Sequence, residues 1–150
     1  MPQNVDRSFI WALKYDYIGE LLTEVNFRVQ SYLTPQKDVA EKALEFAQLE
    51  ADTRELISKE LLNYGVKMRR FLWLQSLVQI LAGILLLPLK LVVPTRLWVR
   101  FIYRSTLHAL KLYESQQQRW GYISPEFFAR LVDHEVKQRD WARDYLARKK

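Results

Sequence analysis

The chain contains no cysteine, and only two histidines, four glycines and five prolines in 150 residues. Without cysteine there is no disulfide framework, thiolate zinc site, iron–sulfur cluster or cysteine nucleophile. Two histidines leave few candidates for a nucleophile–base pair. No phosphate-binding glycine loop, dinucleotide-binding glycine pattern, Gly-x-Ser-x-Gly elbow or His-Glu-x-x-His motif occurs. Scarce glycine and proline, with 13% aromatic residues, exclude a collagen-like, low-complexity or disordered chain. Acid is also absent locally. No Asp or Glu lies between Glu60 and Glu114, a stretch that carries Lys67, Arg69, Arg70, Lys90, Arg96, Arg100, Arg104 and Lys111.

What is present suits a single helical domain over residues 1–150. The chain is 49% hydrophobic, and one of this length buries about 68–70% of its unfolded surface. The net charge of +6 is unevenly placed: residues 1–50 hold 5 basic and 8 acidic side chains, and the surplus follows later. A basic stretch without acids calls for an anionic neighbour, a phospholipid surface or nucleic acid.

Periodicity predicts five helices and no strand. The first runs from Ser8 to Leu33, with apolar residues at 10, 13, 17, 18, 21, 22, 25, 29 and 33. Thr34-Pro35 reads as an N-cap with proline at the first helical position, opening a second helix that stops at Gly65. A third spans Val66 to Val93, a fourth runs from Pro94-Thr95 to Arg119, and Ser124-Pro125 opens the fifth. The short connections predict antiparallel neighbours, and no cleavable signal precedes the first helix.

Residues 66–93 form a hydrophobic membrane or interface segment. Residues 71–89 carry no charge, and nineteen residues cover about 28 Å, near the thickness of a bilayer core. Lys67, Arg69, Arg70, Lys90, Arg96 and Arg100 flank it, with Trp73 and Trp98 where interfacial aromatics would sit. Gln75, Gln79 and Pro88 weigh against a simple span. The alternatives are a buried core helix, a helix crossing or lying on a membrane, and an interface with partner chains.

Polar residues interrupt the inward stripes. In helix two, Glu50 and Thr53 fall among Val39, Ala43, Phe46, Ile57 and Leu61. In helix five, Glu135 and Gln138 fall among Phe128, Leu131, Ala142 and Tyr145. In helix four, Thr106 falls among Val99, Ile102, Tyr103, Leu110 and Tyr113. Glu20 and Glu24 lie at the margin of the first helix's stripe. Burying a carboxylate costs several kcal/mol unless it is paired or metal-bound, so a metal site (Glu20, Glu50 and Glu135) and a buried polar layer (Thr53, Thr106, Gln138 and Glu24) are the expectations. The bland alternative pairs these acids with Arg54, Arg139 and similar neighbours. His108 and His134 read as surface or capping residues outside the stripes.

The segment Asp16 to Glu20, DYIGE, resembles the D-H-A-G-E of the demethoxyubiquinone hydroxylases, in the ferritin-like di-iron superfamily. Glu50 and Thr53 stand where that family has a Glu-x-x-His pair, Glu135 and Gln138 where it has a second, and Thr106 near its third-helix Glu. The hydrophobic run at 71–93 falls where the family's membrane element falls. The resemblance implies a ferritin-like four-helix bundle with a membrane-contacting helix, a lipid or quinone ligand, and iron as a possible cofactor. If active, such a protein is a di-iron monooxygenase. Threonine and glutamine replace imidazole here, which turns the expectation towards a binding or accessory subunit on the cytoplasmic or matrix face of a membrane. The other readings are a structural subunit that packs residues 71–93 against other chains, and a basic nucleic-acid-coating protein.

Overall fold

The computed structural model describes residues 7–67 and 69–148, the side chains of residues 69–72, 74 and 89–91 excepted. The described residues are all-helical: α1 (Arg7–Leu33), α2 (Lys37–Asn63), α3 (Arg69–Val92), α4 (Thr95–Trp120) and α5 (Pro125–Arg148). They divide into two compact units, residues 1–92 and 93–150.

In the first unit, α1 packs on α2 and also on α3. The α1–α2 hairpin is antiparallel: Phe9 near the start of α1 meets Tyr64 just past the end of α2 edge-to-face at 5.6 Å, and Phe27 meets Phe46 at 5.4 Å. The stripe expected for α2 is buried throughout, from Val39 to Leu61. Gly65 ends the helix as expected, at φ +75, where L side chains are disfavoured. Its amide donates to the Leu62 carbonyl, and that of Val66 to the Leu61 carbonyl.

The start of α2 differs from the expectation. The helix begins at Lys37 after Gln36, two residues beyond Pro35, and Thr34 Oγ1 accepts the Gln36 amide at 3.4 Å. The threonine therefore closes a local turn ahead of the helix. In α1 the inward face is displaced: Asp16, Glu20, Glu24 and Gln30 are buried beside Phe9, Leu13, Tyr17, Leu21 and Phe27, whereas Leu22 is exposed. A helix that buries acids at four-residue spacing hides its own hydrophobic periodicity.

In the second unit, α4 packs on α5. Trp98, near the start of α4, meets Trp141, near the end of α5, at 6.4 Å, which makes this hairpin antiparallel too. Ser124-Pro125 opens α5 as expected, with the Phe128 amide donating to the Ser124 carbonyl. Trp98, expected at a membrane interface, is instead 3% exposed, because it lies on the same side of α4 as Val99 and Ile102. His134, expected outside the stripe of α5, is buried at the same depth as Gln138.

Candidate functional site

Each unit buries its own polar set. In the first, α1 presents Asp16, Tyr17, Glu20 and Glu24 on one side, and α2 presents Glu50, Thr53 and Arg54. Arg54 Nη2 and Nε donate to Glu24 Oε2 at 2.8 and 3.2 Å, and Arg28 Nε donates to Glu24 Oε1 at 2.9 Å. Arg54 Nη1 also donates to Gln75 Oε1 at 3.1 Å, an oxygen that accepts the Tyr17 hydroxyl at 2.9 Å. Its guanidinium lies 5.7 Å from the centre of the Tyr17 ring. Burial alone would lower the Arg54 pKa, but the bonds to Tyr17 and Glu24 outweigh it and raise the value, so the cation is secured. One charged network thus ties three helices together, and it accounts for Gln75 inside an apolar segment.

Thr53, where the resemblance puts a metal-binding histidine, donates its hydroxyl to the Leu49 carbonyl of its own helix at 2.9 Å. One oxygen of Glu20 and one of Glu50 lie within 4.8 Å of each other, and both residues are buried. Full charges at that spacing repel by about 3–4 kcal/mol at an effective dielectric of about 20, so this pair needs a compensating proton or positive charge.

In the second unit, Thr106 repeats the pattern of Thr53: its hydroxyl lies 3.0 Å from the carbonyl oxygens of Ile102 and Tyr103. The Gln138 amide nitrogen lies 2.7 Å from His134 Nε2, with one helical turn between the residues. Donation from the amide needs the imidazole proton on Nδ1. Glu135 is buried next to this pair, 4.0 Å from the same ring nitrogen. His108 is exposed on α4.

These donors do not fit the di-iron centre that the resemblance implies. Thr53 and Thr106 point their hydroxyls at their own helices, Gln138 is engaged with His134, and neither unit offers a Glu-x-x-His pair. The expected polar layer of Thr53, Thr106, Gln138 and Glu24 is buried throughout, with both threonine hydroxyls returned to the backbone and Glu24 held by two arginines.

The outer surface of α3 is the other unusual feature. Trp73, Leu77, Ile80, Leu81, Ile84, Leu85, Leu87 and Val92 are between 38% and 79% exposed. At about 100° per residue these positions, with Ser76 and Pro88, fill one half of the helix circumference. Gln75, Val78, Gln79, Ala82, Gly83 and Leu86 are half-buried and fill the other. Most of the large apolar residues with described side chains thus face outward, while both glutamines share the sheltered side with Val78, Ala82 and Leu86. Of the other expected interface residues, Lys67, Arg96 and Arg100 are exposed, while the side chains of Arg69, Arg70 and Lys90 lie outside the described ones. Among the described residues no helix is long and apolar enough to cross a membrane. No family model matches the chain, and neither does any curated protein or any solved structure.

Proposed function

We propose that the protein works at a membrane surface as a binding or accessory component, with α3 lying in the plane of the interface and its outer face taking up lipid or a long-chain quinone. The outward apolar half of α3 carries this reading. Contiguous exposed apolar surface on this scale marks an interaction site rather than ordinary solvent-facing surface, and each large apolar side chain withdrawn from water gains about 1.5–3 kcal/mol. An in-plane helix buries one face in the headgroup boundary and keeps the other in contact with its own protein. The division of α3 into exposed Trp73, Ile80, Ile84 and Leu85 and half-buried Gln75 and Gln79 supports that placement over a span. A spanning helix would have to satisfy both glutamines in hydrocarbon. The basic flanks, Lys67 and Arg96 among them, support a reading in which the contacting side is the cytoplasmic or matrix face.

Sedimentation with phosphatidylcholine vesicles tests the reading. The wild-type chain is expected to pellet with the vesicles. Ile84→Asp with Leu85→Asp should abolish pelleting and leave the helical circular dichroism intact, because both side chains are exposed. A wild-type chain that stays in the supernatant overturns the proposal. So does a stable self-assembled complex that shields Trp73 and ignores vesicles, which would make this face a contact between chains.

A further inference from the structure

The outward side of α4 carries a second pattern that the apolar face of α3 does not use. Arg96, Arg100, Arg104 and Lys111 are all exposed. On a helix they fall within about a quarter of the circumference, along about 22 Å of the axis. Leu107 lies within this stripe, and Leu97 and Phe101 border it, all three exposed. The opposite side, from Val99 and Ile102 to Thr106 and Tyr113, is the buried side of α4. No acid occurs on this helix before Glu114, which is exposed three residues beyond Lys111. Like charges at four-residue spacing destabilise an isolated helix. The repulsion between Arg100 and Arg104 is relieved by an external anion.

We infer that this face of α4 binds anionic phospholipid headgroups, with the guanidiniums and the Lys111 ammonium on phosphate oxygens and Leu97, Phe101 and Leu107 in the adjoining interfacial layer. The inference rests on the membrane-surface reading above and adds lipid selectivity to it. Charge complementarity alone would also admit nucleic acid. A phosphodiester backbone, however, would leave Leu97, Phe101 and Leu107 in water, whereas a bilayer interface meets the cations and the apolar residues together.

The experiment compares vesicles of pure phosphatidylcholine with vesicles that also contain phosphatidylglycerol, at low and at high salt. Each cation near an anionic surface contributes about 1 kcal/mol, so the wild-type chain should favour the anionic vesicles by roughly tenfold or more. The gap should close at about 0.5 M salt, where screening is strong. Arg100→Glu with Arg104→Glu should remove the preference while leaving the weaker binding to phosphatidylcholine in place, and Arg100→Gln with Arg104→Gln should fall between. Equal wild-type binding to both vesicles overturns the inference and leaves the α3 reading standing. Binding to neither overturns both. A short DNA duplex that competes the protein off anionic vesicles, with the same loss in the charge-reversed variant, overturns lipid selectivity in favour of a general polyanion site.

Discussion

Arg54 shows how a polar residue becomes part of a core. Its side chain is 15% exposed and that of Glu24 is 4% exposed, so neither charge retains full hydration. The pair persists because each nitrogen and oxygen finds a partner, including the Gln75 oxygen from α3. Removing one member of such a pair costs far more than replacing both. Arg54→Met should therefore lower stability by about 3 kcal/mol or more, with Arg28 left as the remaining partner of Glu24. Adding Glu24→Gln to that variant should restore a large part of the loss. Urea titration of the single and double variants measures this, and a loss below about 1 kcal/mol in Arg54→Met would show that the network contributes little. Sequence periodicity placed Glu24 near the core, and Arg54 could be named as a partner for the buried acids. Its reach to Gln75 was not legible, because residues 21 apart on separate helices meet only through the packing of α3. His134 was missed for a related reason: a polar residue next to an apolar stripe has no periodic signature until its bond to Gln138 is seen.

At the scale of elements, the inward faces of α2, α4 and α5 were readable because apolar residues mark them at helical spacing. That of α1 was not, because Asp16, Glu20, Glu24 and Gln30 occupy inward positions and Leu22 an outward one. Trp98 was misplaced for want of a second helix to pack on: a tryptophan near a helix start reads equally as an interfacial anchor or as a core residue, and Trp141 decides the matter. The end of the α1–α2 hairpin offers a test by pH. Burial, followed by the nearby Glu60 carboxylate and its bond to the phenol, raises the Tyr64 pKa above its ordinary value. The folded chain thus prefers the neutral phenol. That preference contributes stability in full below the unfolded pKa near about 10 and loses it as pH rises through the higher folded value. Denaturation at intervals from neutral pH to strong alkali should show the wild-type chain losing its advantage over Tyr64→Phe only above about pH 10. A constant difference across that range would mean that Tyr64 titrates normally.

For the whole molecule, the formal charge of +6 is less informative than its distribution. Eleven of the 17 acids lie in residues 1–60, several of them buried in the first unit, and the stretch of sequence without acids follows on α3 and most of α4. If net charge governed attraction to an anionic surface, any added cation would strengthen it, since the field of the whole protein steers association. If the α4 stripe governs it, cations added elsewhere should do little at moderate salt, where screening confines exposed charges to about 8–10 Å. Glu41→Lys with Glu45→Lys separates these cases. Both residues are exposed on α2, and their ion pairs with Lys37 and Lys42 are surface pairs worth at most about 1 kcal/mol, so the fold should tolerate the change. The variant is more cationic overall yet identical along α4. Its binding to phosphatidylglycerol-containing vesicles at physiological salt should match that of the wild-type chain, while Arg100→Glu with Arg104→Glu, which changes the total charge in the opposite direction, should lose it. Tighter binding by the Glu41→Lys, Glu45→Lys variant would assign the attraction to the net charge of the molecule and take it away from the stripe.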